Sequence, residues 1–166
     1  GCVFFVTGAS AAESRSTLWY EELFLLFLRA RATTFEISCD GVTIRGNLDS
    51  PGQRRVVWWD SVRRLSEFSA EVRGSFLRAT RTEFELENPI DLQNSESCRR
   101  FGLMTASELR DLASSGMSVG AHTMSHPMLS RAPAPVAAEE IAGSKVALES
   151  VLQQPVWAFA YPFGDS

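Results

Sequence analysis

The chain has two histidines, His122 and His126, four residues apart in the stretch VGAHTMSHPMLS that runs from Val119 to Ser130. Neutral imidazole is a common zinc ligand. Two of them at this spacing can reach one ion if the backbone curls through about one helical turn. Pro127 disfavours helical geometry at His126, so the expected form is a turn or a single helical turn and not a long H-x-x-x-H helix. Structural histidines meet the same bare spacing, so a ligand pair and a purely structural pair both stand on spacing alone. A second cluster follows in FAYPFGD, Phe159 to Asp165. Taken alone, Pro162 and Gly164 are loop punctuation there, and Asp165 or Ser166 would cap a following helix.

The elements that must position these residues read as an α/β pattern. Thr105 and Glu108 form a capping box, with Met104 and Leu109 placed as its hydrophobic staple, Leu109 and Leu112 as its buried face, and Gly116 as its stop. Met117 to Ala121 is then a strand, with His122 at its carboxyl end, where open parallel sheets and (β/α) barrels build their sites. A helix from about Pro135 to Leu152 carries Ile141, Leu148 and Leu152 on its buried face, and VWAFAYP, Val156 to Pro162, is a further strand closed by Pro162. Near the start, Val3 to Val6 is a compact β-favouring run expected to be a fully buried parallel strand. Helix, strand, helix, strand with short joints places the chain in the α/β class.

Between these two parts, residues from about 16 to 98 have a different grammar. Thr17 to about Ala32 is an apolar helix behind a Ser16/Thr17 cap. FEISCDGVTIR follows, with Phe35 and Ile37, then Val42 and Ile44, alternating around an Asp40-Gly41 turn, which is a hairpin over 34 to 46. Ser50-Pro51 opens a helix with Trp58, Val62 and Leu65 at helical spacing, and a second helix runs from Ser69 through Val72 and Phe76 to Ala79. This stretch is expected to be a helix, hairpin, helix, helix insertion.

Composition narrows the partners. The length of 166 residues and 45% hydrophobic content fit one globular domain with a real core. Net charge is −4, and the basic residues are scattered among acids, which excludes a phosphate-backbone footprint, so no nucleic acid partner is expected. Cys2, Cys39 and Cys98 have no C-x-x-C spacing and indicate neither a disulfide framework nor a zinc-thiolate site. The run LFLLFL, Leu23 to Leu28, is far shorter than the ~20 apolar residues of a membrane span. GCVFFVTG opens without Met, straight into an apolar run, as a piece cut from something larger would.

The two motifs in this order, flanked by VFFVTG (Val3 to Gly8) and LMTASELRDLASSGMSVGAHT (Leu103 to Thr123), resemble the polysaccharide deacetylase family, the NodB-homology domains also called carbohydrate esterase family 4. The resemblance implies a deformed (β/α) barrel, here partial and carrying the 16 to 98 insertion, that holds one divalent metal, usually zinc. It implies removal of N-acetyl or O-acetyl groups from a cell-wall or extracellular polysaccharide. Residue by residue, it makes His122 and His126 metal ligands and Thr123 a support of their loop. Phe163 becomes the backbone N–H donor to the developing oxyanion, and Tyr161 and Pro162 become part of the sugar groove.

Three departures accompany the resemblance. The family's T-F-D-D-G motif, which supplies the third metal ligand and the catalytic base, does not occur in these 166 residues, and neither does its acidic histidine. Ala160 stands where many members carry an arginine that orients the base. The expectation is therefore a chain that bears part of a deacetylase site and is silent on its own. The competing expectations are a non-catalytic carbohydrate- or metal-binding module on the same fold, and a generic α/β domain with structural histidines.

Overall fold

The computed structural model describes residues 1–163. In chain order it contains β1 (Val3–Val6), a 3-10 turn (Gly8–Ala11), α1 (Trp19–Arg29), β2 (Thr34–Cys39), β3 (Val42–Asn47), α2 (Pro51–Leu65), α3 (Ala70–Phe84), α4 (Ser95–Phe101), α5 (Ala106–Ser114), β4 (Ser118–Ala121) and α6 (Ala134–Leu152). Two compact units result: Gly1–Ser16 together with the chain from Gly102 onward, and Thr17–Phe101.

The first unit is α/β. β1 and β4 pair in parallel, in the register Val3 to Ser118 through Val6 to Ala121. Beside β4, Ala121 bridges to Phe159 in parallel. Ala121 N–H donates to Ala158 O at 2.8 Å, and Ala160 N–H to Ala121 O at 3.0 Å. The expected strand over Val156 to Ala160 is therefore reduced to one bridge. The cause is local competition: Val156 N–H donates to Glu149 Oε1 at 2.8 Å, and Val156 O accepts from Lys145 Nζ at 2.8 Å. Side chains of α6 thus occupy backbone groups that a ladder would use.

The core of this unit gathers Val6, Leu109, Val119, Ala121, Leu148 and Val156. The capping box of α5 forms in both directions: Glu108 N–H donates to Thr105 Oγ1, and Thr105 N–H donates to the Glu108 carboxylate at 2.8 Å. Gly116, at φ +81°, turns the chain out of α5 and into β4 as its position requires. Two expectations are corrected. β1 is not fully buried, because Phe4 and Phe5 are 41% and 44% exposed and only Val6 enters the core. Helices α5 and α6 send Leu109 and Leu148 to the Val6 side, while on the other side Phe5 lies over Gly120, where a methyl would come 2.6 Å from its ring. Ile141 is 37% exposed, and the inward stripe of α6 is Glu140, Ser144 and Leu148. Its spacing is i, i+4, i+8, which keeps Leu148 and continues to Leu152 as expected but replaces Ile141 by Glu140, one residue earlier.

The second unit, Thr17–Phe101, is built on the β2–β3 hairpin, antiparallel with Cys39 opposite Val42. Phe35, Ile37, Val42 and Ile44 are its buried face. α1 begins at Trp19 after Leu18 and has no side-chain cap, so the Ser16/Thr17 cap does not form. Ser50 and Ser69 do cap α2 and α3 through Gln53 N–H and Val72 N–H. α3 continues beyond Ala79 to Phe84, whose ring closes a cluster with Phe27 and Phe35 at centroid distances of 6.1 and 5.7 Å. Asp40 and Gly41 both have positive φ, 47° and 79°, as a type I′ turn demands. Valine at Gly41 is expected to cost about 1–2 kcal/mol, because a Cβ there meets no atom within 4 Å and the penalty comes from the left-handed backbone. Chemical denaturation should show the loss, with metal binding by the histidine loop unchanged.

Candidate metal centre

β4 ends at Ala121 and delivers His122 to the carboxyl edge of the parallel pair. There the chain turns sharply, with Thr123 at φ +62° and His126 at φ +63°. Left-handed backbone at a β-branched threonine is costly and persists only when its surroundings over-determine it. They do so here. Thr123 is fully buried, and its hydroxyl donates to His122 O at 2.6 Å and accepts from His126 N–H at 3.0 Å. Thr123 O and Met124 O accept from Gly8 and Ala9 N–H at 2.8 and 3.0 Å. The short connection is therefore a turn, one of the two forms expected, with its curl fixed by threonine and not by helix.

The turn brings the imidazoles together, with ring centroids 4.8 Å apart at 76°. His122 Nδ1 lies 2.8 Å from Ala160 O. A carbonyl only accepts, so Nδ1 carries a proton, and in the neutral ring Nε2 is then the nitrogen with the lone pair. This is the arrangement in which a backbone carbonyl orients a metal-ligating histidine. His126 has its pKa pushed down to about 4, chiefly by burial and then by the neighbouring His122, against a smaller upward pull from its own backbone hydrogen bonding and from Glu140. Its imidazole is neutral at neutral pH, as ligation requires. In the metal-free chain, acid works against the folded loop from about 6.5 down to about 4, since the unfolded chain takes up that proton first.

The other residues named from sequence lie at the same edge. Phe163 stacks edge-on against His126 at 5.1 Å, so the chain from Phe159 to Phe163 meets the histidine turn directly. Tyr161 is 68% exposed and packs its ring edge-on to Phe159 at 5.3 Å, leaving a broad aromatic face to solvent. Pro162 is half-buried between them in the chain. Ala160, which departs from the family pattern in its side chain, acts here through its backbone by carrying the His122 contact. Asp165 and Ser166 lie outside the described residues.

Sequence reading missed Glu140. It is buried on the inward stripe of α6, its main-chain carbonyl accepts from Met124 N–H at 3.0 Å, and its carboxylate accepts from Ser125 N–H at 2.8 Å and from the Ser125 hydroxyl. The available signal was its spacing of eight residues from Leu148, which places both on one helical face.

A pair of imidazoles, one of them oriented by a carbonyl, is a donor set that suits a borderline cation such as zinc. Among the described residues no group of three or more His, Cys, Asp or Glu is placed to hold an ion, and the histidine turn brings together two imidazoles. No helix among the described residues is long and apolar enough to cross a membrane. No curated protein and no solved structure matches the chain. A family model described as polysaccharide deacetylase matches residues 81–166, which is more than half of the sequence and contains both motifs of this edge. With the histidine turn and Phe163 meeting where that match lies, the chain belongs to the polysaccharide deacetylase family.

Proposed function

We propose that these 166 residues carry the histidine half of the active site of a metal-dependent deacetylase acting on an acetylated polysaccharide, within a deformed (β/α) barrel interrupted by the Thr17–Phe101 unit. The observation that carries the reading is the pair of imidazoles at a strand end, with His122 held through Nδ1 by Ala160 O and Nε2 outside that bond. His122 and His126 would hold a divalent ion, usually zinc in this family. When bound, such an ion polarises an acyl carbonyl and lowers the pKa of a bound water.

This chain's own residues do the rest. Thr123 and Ala160 fix the two rings, Phe163 N–H is the donor to the oxygen that becomes negative as the acetyl carbon turns tetrahedral, and Tyr161 offers its exposed ring to a sugar face. The base and acid of the family's T-F-D-D-G and acidic-histidine motifs are not among these residues.

The test is acetate release from a chitin oligosaccharide, measured for residues 1–166 and for a polypeptide that sets them between those two family motifs. Silence of the first and zinc-dependent release by the second are expected, because general acid and base groups each contribute ~10²–10⁴-fold. Saccharide binding by the longer polypeptide without acetate would make this a non-catalytic binding module. Acetate from residues 1–166 alone would move the base to an acid of this chain, such as Asp165.

A further inference from the structure

We infer that Glu140 is a positioning residue of the metal centre, acting through Ser125 to hold the segment between the two histidines; the inference rests on the metal-binding reading of His122 and His126. Ser125 is the residue immediately before His126, so whatever fixes its peptide sets where the second imidazole begins. From α6, Glu140 takes three hydrogen bonds from consecutive residues of that segment: Met124 N–H to its main-chain oxygen at 3.0 Å, Ser125 N–H to Oε2 at 2.8 Å, and the Ser125 hydroxyl to Oε1.

Three features mark this as more than packing. A carboxylate that is only 5% exposed is a costly choice for the inner face of a helix, where Leu148 shows what packing alone would select. Both of its oxygens accept from the same residue, and an ionised carboxylate is the one side chain that can accept twice in this way. The segment it holds contains left-handed Thr123 and His126, a conformation that an unclamped loop would relax. Its negative charge is also felt at the His126 imidazole, so a cation bound there would be stabilised by the same group.

The rest of α6 fits the role. One turn further on, Ser144 is fully buried, and Gly143 lets the Met124 side chain lie close, with a methyl at Gly143 falling 3.1 Å from Met124 Cγ. The helix thus presents small residues where the loop approaches and one acceptor where the loop needs donors satisfied.

The test is zinc titration of the intact chain followed at the imidazole signals by nuclear magnetic resonance, which reads weak and tight binding alike. Outer partners of metal ligands typically contribute 10–100-fold to affinity, so Glu140→Ala is expected to raise the zinc dissociation constant by about that factor. Glu140→Gln keeps one acceptor and gives the serine oxygen a donor, and it should recover most of the loss. Ser125→Ala removes one bond and should cost roughly two- to tenfold, with no further loss when it is added to Glu140→Ala. A purely structural Glu140 would lower the unfolding midpoint in all three variants while leaving zinc affinity at the wild-type value, and that result overturns the inference. Should Glu140→Ala fail to fold, Glu140→Gln and Ser125→Ala decide by the same affinity comparison. His126→Ala is the control. Wild-type affinity in His126→Ala overturns the metal reading and this inference with it, whereas loss in His126→Ala with wild-type affinity in the Glu140 variants overturns only the role of Glu140.

Discussion

Replacing His122 with alanine is expected to lower the zinc affinity of this chain by more than ~100-fold, a larger effect than the 10–100-fold typical of partners outside the ligand shell. The two imidazoles lie 4.8 Å apart on a turn whose backbone is held from both sides, so they reach an ion without first ordering the loop. Removing one leaves a single imidazole, which holds zinc little better than an exposed histidine does. Fold and stability should change little, because His122 is only half-buried and its Nδ1 bond goes to a backbone carbonyl of Ala160, whose N–H already joins that residue to β4. Calorimetric zinc titration alongside circular dichroism separates the two quantities. Unchanged affinity in a folded His122→Ala variant would remove His122 from the site.

The second large effect is expected at Gly8. This residue follows β1 and Thr7, and its N–H donates to Thr123 O at 2.8 Å, which brings the start of the 3-10 turn hard against the histidine loop and α6. A methyl at Gly8 would sit 2.2 Å from Met124 Sδ and 2.9 Å from Ser144 Cα. The methionine can swing aside, but the Cα of a packed helix cannot move alone. Valine at Gly8 should therefore destabilise the first unit by roughly 3 kcal/mol, at the upper end of ordinary overpacking costs. Because the displaced atoms belong to Met124 and α6, zinc affinity should fall with stability. Alanine at Gly116, at φ +81° with nothing within 4 Å, provides the contrast of a strained glycine remote from the loop. Urea unfolding of both variants, read with zinc titration, tests the assignment; a Gly8→Val protein as stable as the wild type would show that α6 is not packed here as described.

Local rules carried much of the fold into the sequence. The capping box of Thr105 and Glu108, the type I′ turn at Asp40-Gly41 and the Ser50 cap of α2 are short-range patterns whose partners sit within four residues, and the structure forms each of them, though not the Ser16/Thr17 cap expected for α1. What depended on distant partners was less legible. Val156 to Ala160 has a strand's composition, yet Lys145 and Glu149 of α6 take the backbone groups of Val156 and leave one bridge. Phe4 and Phe5 look like core residues, but only Val6 of that strand finds helices over it.

The site shows the same division. The histidines were legible as types at a strand end and Phe163 and Tyr161 through the family resemblance, and the structure gathers them at one edge. Glu140 was hidden because an apolar reading of α6 follows Ile141, one position away, and counts a glutamate as solvent-facing. A polar residue in phase with Leu148 was the only cue. The role of Ala160 was equally hidden, since a backbone carbonyl leaves no mark in side-chain identity.

The most direct measurement of the central claim is the imidazole spectrum of the wild-type chain during zinc titration at neutral pH. His122 should begin with a proton on Nδ1, and the signals of His122 and His126 should move together along one saturating curve that fits a single zinc site. Two independent curves, or no change at either ring up to millimolar zinc, would contradict the account and leave the pair as structural histidines.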